Sequence, residues 1–165
     1  MILYLIISPL VEVRFFVRQG KPLQMAGALP APTDLVYYGV DTSTPVVFQG
    51  EKLVRVNGWS FLSTATDLAD YDVYLVLNSP HRQYFYLTTP SGRSDIPRVY
   101  AEFDLDLTNS GFTVFIAKEA IRLDKYEIGF LYQDKESGER TYQETGRVLT
   151  RTPNTLTLVP LETTP

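Results

Sequence analysis

The chain has 165 residues, which is the size of one domain. Hydrophobic residues make up 44% and aromatic residues 13%, the composition of a protein with a packed core, and this composition excludes global disorder. A formal net charge of −4, without any run of Lys or Arg, argues against a nucleic-acid-binding surface, which needs a basic patch. The absence of cysteine excludes disulfides, a thiolate nucleophile and Cys-based metal sites, and it leaves the compartment open.

The N-terminal segment, residues 1–19, begins with an apolar run over residues 2–11 that Glu12 and Arg14 interrupt. The run is shorter than the about 20 residues of a spanning helix, and no basic region precedes it as in a signal peptide. Three interpretations stay open: a first strand or buried arm, the end of a transmembrane segment, and an atypical signal or interfacial anchor. Arg14, Arg18 and Lys21 follow closely, as basic residues do at a membrane exit, which favours the transmembrane remnant.

Residues 20–33 are rich in Pro, Gly and Ala, a composition that opposes both helix and sheet. We therefore predict a linker over residues 20–33, a folded domain over residues 34–160, and a short tail at residues 161–165.

The first part of this domain carries short apolar or alternating segments separated by turn residues. They predict strands at 35–40, 45–48, 52–56 and 59–61, with a turn at 41–44. Gly58 interrupts the alternation, which indicates a bulge or a close backbone approach. Trp59 is then expected to point into the core.

The clearest strand signal is residues 73–77, which are apolar on both faces and therefore predict a central strand. The turn residues Asn78, Ser79 and Pro80 join it to a second strand at 83–88, in a hairpin with a loop of about four residues. Single helical turns are expected within 64–71 and 118–125. Later strands are predicted at 99–107, 112–117, 126–132, 140–143, 146–150 and 155–159, with the segments from 140 to 150 forming a hairpin.

No segment has the pattern of a helix of about ten residues. The sequence therefore predicts an all-β fold, an antiparallel immunoglobulin-like β-sandwich of about eight strands, preceded by an apolar N-terminal arm or membrane-segment remnant. We expect its two layers to bury Trp59, Leu75, Phe112 and Ile128 together.

Residues suited to metal binding or nucleophilic catalysis are few. His81 is the single histidine, and without a partner in its turn it is expected to be solvated. Asp104, Asp106 and Asn109 offer oxygen atoms for calcium, but no acidic residue stands at the twelfth position of an EF-hand loop. We predict no metal and no cofactor.

Asp67, Asp70 and Asp72 surround Tyr71. Two carboxylates across a cleft can hydrolyse a glycosidic bond, whereas several Asp residues in one loop are usually solvated. No phosphate-binding loop, nucleophile elbow or zinc motif is present in the sequence. We therefore predict a protein that is not an enzyme, and we keep a glycoside hydrolase as the third hypothesis.

Abundant tyrosines raise the question of sugar binding. The ligand-binding candidates are Tyr84 and Tyr86, with Arg93 and Asp95 as polar groups in the following loop. In the alternative interpretation, the tyrosines pair across strands and fill the core.

Five short motifs occur between residues 56 and 132. They are Val56-Asn57-Gly58-Trp59-Ser60-Phe61, Asp72-Val73-Tyr74-Leu75-Val76-Leu77, Arg93-Ser94-Asp95-Ile96, Asn109-Ser110-Gly111-Phe112 and Lys125-Tyr126-Glu127-Ile128-Gly129. With them, about half of the chain resembles an uncharacterised extracytoplasmic β-sandwich domain of bacterial multi-pass membrane proteins, including glycosyltransferase-like ones. The resemblance implies that Arg93 and Asp95 pin a loop and that Gly111 permits a turn ahead of Phe112. Residues 8–12 look like the close of a last membrane segment in such proteins.

The combined prediction is a non-enzymatic accessory or interaction domain, membrane-associated and extracytoplasmic, with a cytoplasmic location as the alternative. Its expected partner is a membrane protein or a glycan and not a nucleic acid. The alternative function is a carbohydrate-binding module.

Overall fold

The structure, a computed structural model, describes residues 20–160. The predictions for residues 1–19 and for the tail at 161–165 lie outside the described residues. Within the described range the helices are single turns of three or four residues, and none has the length and apolar character needed to cross a bilayer.

Nine strands and three helical turns make up the described chain. The strands are β1 (Val36–Phe48), β2 (Glu51–Leu62), β3 (Tyr71–Asn78), β4 (Gln83–Leu87), β5 (Thr89–Ser91), β6 (Gly111–Ala117), β7 (Asp124–Asp134), β8 (Arg140–Arg151) and β9 (Leu156–Leu158). The helical turns are the 3₁₀ turns Leu68–Asp70 and Lys118–Ala120 and the α-helical turn α1 (Ile96–Val99).

The strands form two antiparallel sheets. One has four strands in the order β1-β2-β6-β5, and the other has five in the order β4-β3-β7-β8-β9. If β1, β2, β3, β5, β6, β7 and β8 are lettered A to G, the sheets are ABED and CFG, with β4 and β9 as additional strands. This order confirms the predicted immunoglobulin-like sandwich.

A tyrosine at the start of β7 supports the same classification. The hydroxyl of the fully buried Tyr126 donates a 2.8 Å hydrogen bond to the carbonyl oxygen of Arg122, four residues upstream. Such a tyrosine corner ties the entry of strand F to the preceding connection in immunoglobulin-like domains. The backbone N–H of Arg122 donates in turn to the hydroxyl of Tyr84, at 3.3 Å.

The main core lies between the two sheets, as period-two burial along each strand requires. Phe112 from the four-stranded sheet packs edge-on against Phe130 from the five-stranded sheet, with ring centroids 5.2 Å apart. Leu75 and Ile128 belong to the same buried cluster, as predicted.

The prediction for Trp59 is wrong. It lies half-buried on the outer face of the four-stranded sheet, because the inward positions of β2 are Val54, Val56 and Gly58. The predicted close approach does occur at Gly58, where a Cβ atom would overlap the carbonyl oxygen of Gly39. The bulge itself is on the partner strand, between Val40 and Thr42.

The strand predicted for residues 99–107 is also wrong. After α1 the chain runs through turns and does not pair with a strand. Its alternating apolar residues cover the outer face of the four-stranded sheet instead. Ile96 and Leu107 pack on Phe61 and bury it completely on the outer face of the four-stranded sheet.

Two further boundaries differ from the prediction because turn-forming residues are absorbed as bulges. The strands predicted at 35–40 and 45–48 form one continuous strand, β1. The hairpin predicted between 140 and 150 is instead the single strand β8, which carries a bulge containing Gly146 at φ 69°. The β3–β4 hairpin, the last strand and helical turns within 64–71 and 118–125 are confirmed.

Residues 20–33, the predicted linker, lie against the sandwich: Gly20 accepts a hydrogen bond from Ala117 on β6, and the rest of the segment contacts the five-stranded sheet. The backbone N–H of Leu23 donates to the carbonyl oxygen of Phe85 on β4 at 2.7 Å, and that of Thr33 donates to Tyr142 on β8 at 2.8 Å. Between these bonds the segment packs on the outer face of the sheet through Met25 and Leu29. The segment therefore contacts both β4 and β8, and it is held to the sandwich rather than hanging free.

Candidate binding cleft

A cavity of about 490 Å³ opens at one end of the sandwich, and we call it the cleft. Its walls come from the connections that follow β2, β5 and β7 and from the adjoining strand ends. In the A-to-G lettering these are the BC, DE and FG connections. The cavity lies among these loops and is partly open to solvent.

The floor of the cleft is polar. The hydroxyls of Ser60 on β2 and Tyr132 on β7 lie 2.8 Å apart in a hydrogen bond that joins the two sheets, and both residues are buried. Burial raises the pKa of Tyr132 well above its usual value. Ser110 in the adjoining wall is only 4% exposed, and its hydroxyl has no hydrogen-bond partner in the described structure.

Three aspartates contribute to the lining of the cleft. Asp67 accepts a 2.9 Å hydrogen bond from the N–H of Ala69, and Asp106 accepts a 3.0 Å bond from that of Thr108. Hydrogen bonds from Thr108 lower the pKa of Asp106 below its usual value. The half-buried Asp72 shares the outer face of β3 with Tyr74 and Val76, whereas Tyr71 and Val73 face the space between the sheets, so the carboxylate of Asp72 is on the outer side of the sheet.

The positive group at the cleft is Lys135, and it is already engaged. Its Nζ donates to the carbonyl oxygen of Ala69 at 2.7 Å, and its backbone N–H donates to that of Asp70 at 2.9 Å. These bonds tie the FG connection to the BC connection. The lining of the cleft therefore keeps an excess of negative charge.

Tyr71 and Asn109 add an aromatic ring and an amide to the cleft. The half-buried Tyr71 packs edge-on against Tyr132, with ring centroids 6.0 Å apart. Burial, followed by the nearby carboxylate of Asp134, raises the pKa of Tyr71. The exposed amide of Asn109 makes no hydrogen bond within the described part of the chain.

The tyrosines predicted to bind ligand lie elsewhere, on β4. Tyr86 is 2% exposed and belongs to the main core, so it presents no ring face to solvent, and burial raises its pKa. Tyr84 is half-buried and packs edge-on against Tyr126 at 5.6 Å. Both rings thus support the sandwich, as in the alternative interpretation of the tyrosines.

Arg93 and Asp95, the other predicted ligand-binding residues, form a tight ion pair. The Nε and Nη2 atoms of Arg93 donate to the two carboxylate oxygens of Asp95 at 2.8 and 2.6 Å, and Nη1 donates to Asp41 at 2.6 Å. The hydrogen bonds from Arg93 lower the pKa of Asp95 to about 2. Because Asp41 lies at the bulge of β1, Arg93 fastens the DE connection to the far strand of its sheet.

An aromatic surface borders this ion-pair cluster; we call it the Trp59 surface and define it as Tyr37, Trp59 and Tyr100. Trp59 lies 5.4 Å from Tyr100, and Tyr37 stacks on Phe61 at 5.1 Å with an interplanar angle of 4°. Gly111 stands opposite Trp59 on β6, and the Cγ atom of Arg93 lies against it. The predicted pairs Tyr84–Tyr86 and Arg93–Asp95 are therefore on different sheets, and the latter pair borders Trp59.

The other residues considered from the sequence are spread over the molecule. His81 is exposed in the β3–β4 turn, 3.3 Å from Asp124, and does not line the cleft. Of the three oxygen-bearing residues considered for calcium, Asp106 and Asn109 line the cleft and Asp104 does not. Over residues 20–160, no group of three or more acidic or histidine side chains is placed to hold a metal.

The sequence analysis considered Asp67 and Asp72 for glycoside hydrolysis and Asp106 and Asn109 for calcium, but it did not bring these residues together in one cleft. Asp72, Asn109 and Ser110 also occur in two of the five motifs. Their shared signal is position, since each stands next to a strand end on the same side of the sandwich. No protein-family model matches the chain, and a comparison with curated proteins gives no match. The function is therefore inferred from the geometry of the cleft.

Proposed function

We propose that the chain is a non-enzymatic accessory domain that binds a protein partner through the cleft, within a membrane-associated assembly on the extracytoplasmic side. The observation that carries this proposal is the cleft itself. It combines apolar walls with polar groups, among them the amide of Asn109, which makes no hydrogen bond within residues 20–160, and this is the composition of a binding site. Its position also supports it, because immunoglobulin-like domains use the loops at one end for recognition.

The state of Asp106 favours a role in binding over a role as a general acid. A carboxylic acid that protonates a glycosidic bond needs a raised pKa, whereas the pKa of Asp106 is lowered. The carboxylate of Asp67 is held by the backbone of its own turn. A fixed, ionised carboxylate is suited to attracting a partner and orienting it.

The proposed membrane association is supported by the sequence of residues 1–19, where an apolar run is followed by Arg14 and Arg18. Fractionation and surface proteolysis of the native host test this part. We expect the full-length protein in the membrane fraction and degradation by protease added outside the cells. Recovery of the protein in the cytosol alone would contradict it and support the cytoplasmic alternative.

Binding through the cleft is tested by a photo-crosslinking residue placed at Asn109, with the exposed Lys52 at the other end of β2 as the matched control. In intact cells we expect a discrete crosslinked partner from position 109 and none from position 52. Leu87→Arg, at an exposed residue of the lining, is expected to abolish the crosslink. Equal crosslinking from both positions would mean that the cleft is not the interface.

The second proposed function is a carbohydrate-binding module, and the Trp59 surface favours it. A half-buried indole beside Tyr37 and Tyr100, bordered by the Arg93–Asp95 ion pair, combines a flat apolar ring with polar groups, as sugar recognition requires. A glycan array with Trp59→Ala tests this function, and Tyr84→Ala is the control on the other sheet. An array without any signal for the unmodified chain would remove this proposal.

A further inference from the structure

We infer that the end of the sandwich opposite the cleft lies against anionic lipid headgroups, so that the cleft points away from the bilayer. This inference rests on the proposed membrane association and adds which surface faces the bilayer and which lipids it selects. It follows from the distribution of charge, from the place where residues 1–19 join the domain, and from apolar side chains exposed at the same end.

Basic residues collect at the end opposite the cleft, which we call the basic end. It consists of the turns that follow β1, β3, β6 and β8, the two strand residues on each side of each turn, and residues 20–21. Seven lysine and arginine residues stand there against three acidic residues. The basic residues are Lys21, Lys52, Arg82, Lys118, Arg122, Lys125 and Arg151.

The cleft end has the opposite balance of charge. It comprises the connections that follow β2, β5 and β7, counted in the same way, and residues 34–35 ahead of β1, and it holds eleven acidic and four basic residues. The domain is therefore polarised from one end of its strands to the other. Such a field turns the basic end toward a negative surface and the cleft end away from it.

The basic end keeps exposed cations while most of its acidic groups are engaged. Glu119 lies 3.6 Å from Lys118 and 3.5 Å from Arg151, and Asp124 lies 3.3 Å from His81. Four basic side chains are exposed and form no ion pair with a residue between 20 and 160; they are Lys21, Lys52, Arg122 and Lys125. Each such cation near an anionic bilayer contributes to binding.

The chain enters the domain at the basic end. Gly20 is buried there, where its carbonyl oxygen accepts a 2.7 Å hydrogen bond from the N–H of Ala117 at the end of β6. The apolar run at residues 2–11 is separated from Gly20 by residues 12–19, which span at most about 29 Å even when fully extended. If the apolar run inserts in a bilayer, it therefore holds the basic end close to the headgroups.

Apolar side chains are exposed among these cations. Leu123 is 57% exposed in the turn between Arg122 and Lys125, and Val47 is 71% exposed opposite Lys52 in the β1–β2 pair. Apolar side chains flanked by basic ones are typical of surfaces that rest in the headgroup region, because the apolar groups enter the boundary while the cations meet phosphate.

The selection of lipid is tested by sedimentation of the full-length chain with vesicles of phosphatidylcholine alone or of an equimolar mixture with phosphatidylglycerol. We expect tighter binding to the anionic vesicles. Arg122→Glu is expected to weaken this binding at least about fivefold, and Arg98→Glu, the same change at an exposed arginine of the cleft end, is expected to leave it unchanged. Thermal unfolding shows whether both variants are folded, and Lys125→Glu replaces Arg122→Glu if it is not.

The orientation is tested with single fluorescent labels, since the sequence contains no cysteine. Leu123→Cys at the basic end and Val99→Cys at the cleft end are a matched pair, because the native side chains are 57% and 64% exposed. With an environment-sensitive fluorophore attached, we expect anionic vesicles to shift the emission to the blue from position 123 and not from position 99.

Equal binding to the two kinds of vesicle, equal weakening by Arg122→Glu and Arg98→Glu, or an equal response of the two labels would overturn the inference. A response of both labels without lipid, rising with protein concentration, would also overturn it, because the basic end would then pair with the cleft end of a second copy. None of these results decides membrane association itself, which the fractionation of the native host tests separately.

Discussion

The hydrogen bond between Ser60 and Tyr132 offers the sharpest test of how the two sheets are held together beside the cleft. The variant Ser60→Ala removes one partner and leaves the phenolic hydroxyl of Tyr132 buried without the other. The two hydroxyls are 2.8 Å apart, and both residues are at most 5% exposed. Tyr132→Phe removes the phenolic hydroxyl and leaves the hydroxyl of Ser60 without its partner. The double variant removes both hydroxyls.

The expected magnitudes follow from the cost of burying an unpaired polar group. We expect Ser60→Ala to lower the free energy of unfolding by about 1–3 kcal/mol, because Tyr132, which is 2% exposed, loses its hydrogen-bond partner. The double variant is expected to cost less than the sum of the two single variants by about 1 kcal/mol or more, since it leaves no hydroxyl unpaired.

Urea unfolding of the four proteins measures these differences, with an unchanged slope as the sign that the unfolded state is the same. Thermal unfolding is the check, at about 3 °C for each kcal/mol in a chain of this size. Strictly additive costs, or a Ser60→Ala variant as stable as the unmodified chain, would show that this hydrogen bond does not couple the sheets.

Three further predictions concern the sandwich. Tyr126→Phe should lower the free energy of unfolding by about 1 kcal/mol in urea titrations, because the hydrogen bond to the carbonyl oxygen of Arg122 is lost. The cost is small because Arg122 is exposed and water can bond to its carbonyl. No change in stability would contradict a structural role for the tyrosine corner. Gly39→Ala should cost about 1–3 kcal/mol and change the fluorescence of Trp59, the single tryptophan, since the added Cβ overlaps its indole; an unaltered spectrum would count against this packing. Burial raises the pKa of Tyr126 to about 12 and also raises the pKa of Tyr132. The neutral form of each tyrosine therefore stabilises the folded state, and this contribution is fully present below the unfolded-state pKa of about 10. It should be lost as the pH rises through the folded-state pKa. Urea titrations between pH about 9 and about 12 check this loss, and it should be smaller in Tyr132→Phe; stability that rises with pH there would refute the sign.

The class of fold could be predicted from the sequence because alternation is a local property. Residues 73–77, the turn that follows them and the strand at 83–88 gave the correct hairpin, since the period of side chains along a strand depends on the backbone alone. Turn-forming residues were less informative. The turn-forming residues at 41–44 and near Gly146 lie within β1 and β8, which stay paired with their partner strands on both sides of a bulge.

Alternation gives two faces for each strand, and local sequence does not decide which of them meets the other sheet. Trp59 and Phe61 share one face of β2, and only the pairing of the strands shows that this face is the outer one, covered by α1 and the turns after it. The cleft is a tertiary feature for the same reason. Asp72, Asn109 and Ser110 come from two strand ends far apart in the chain, and they share one cavity only because the two sheets stack with those ends together.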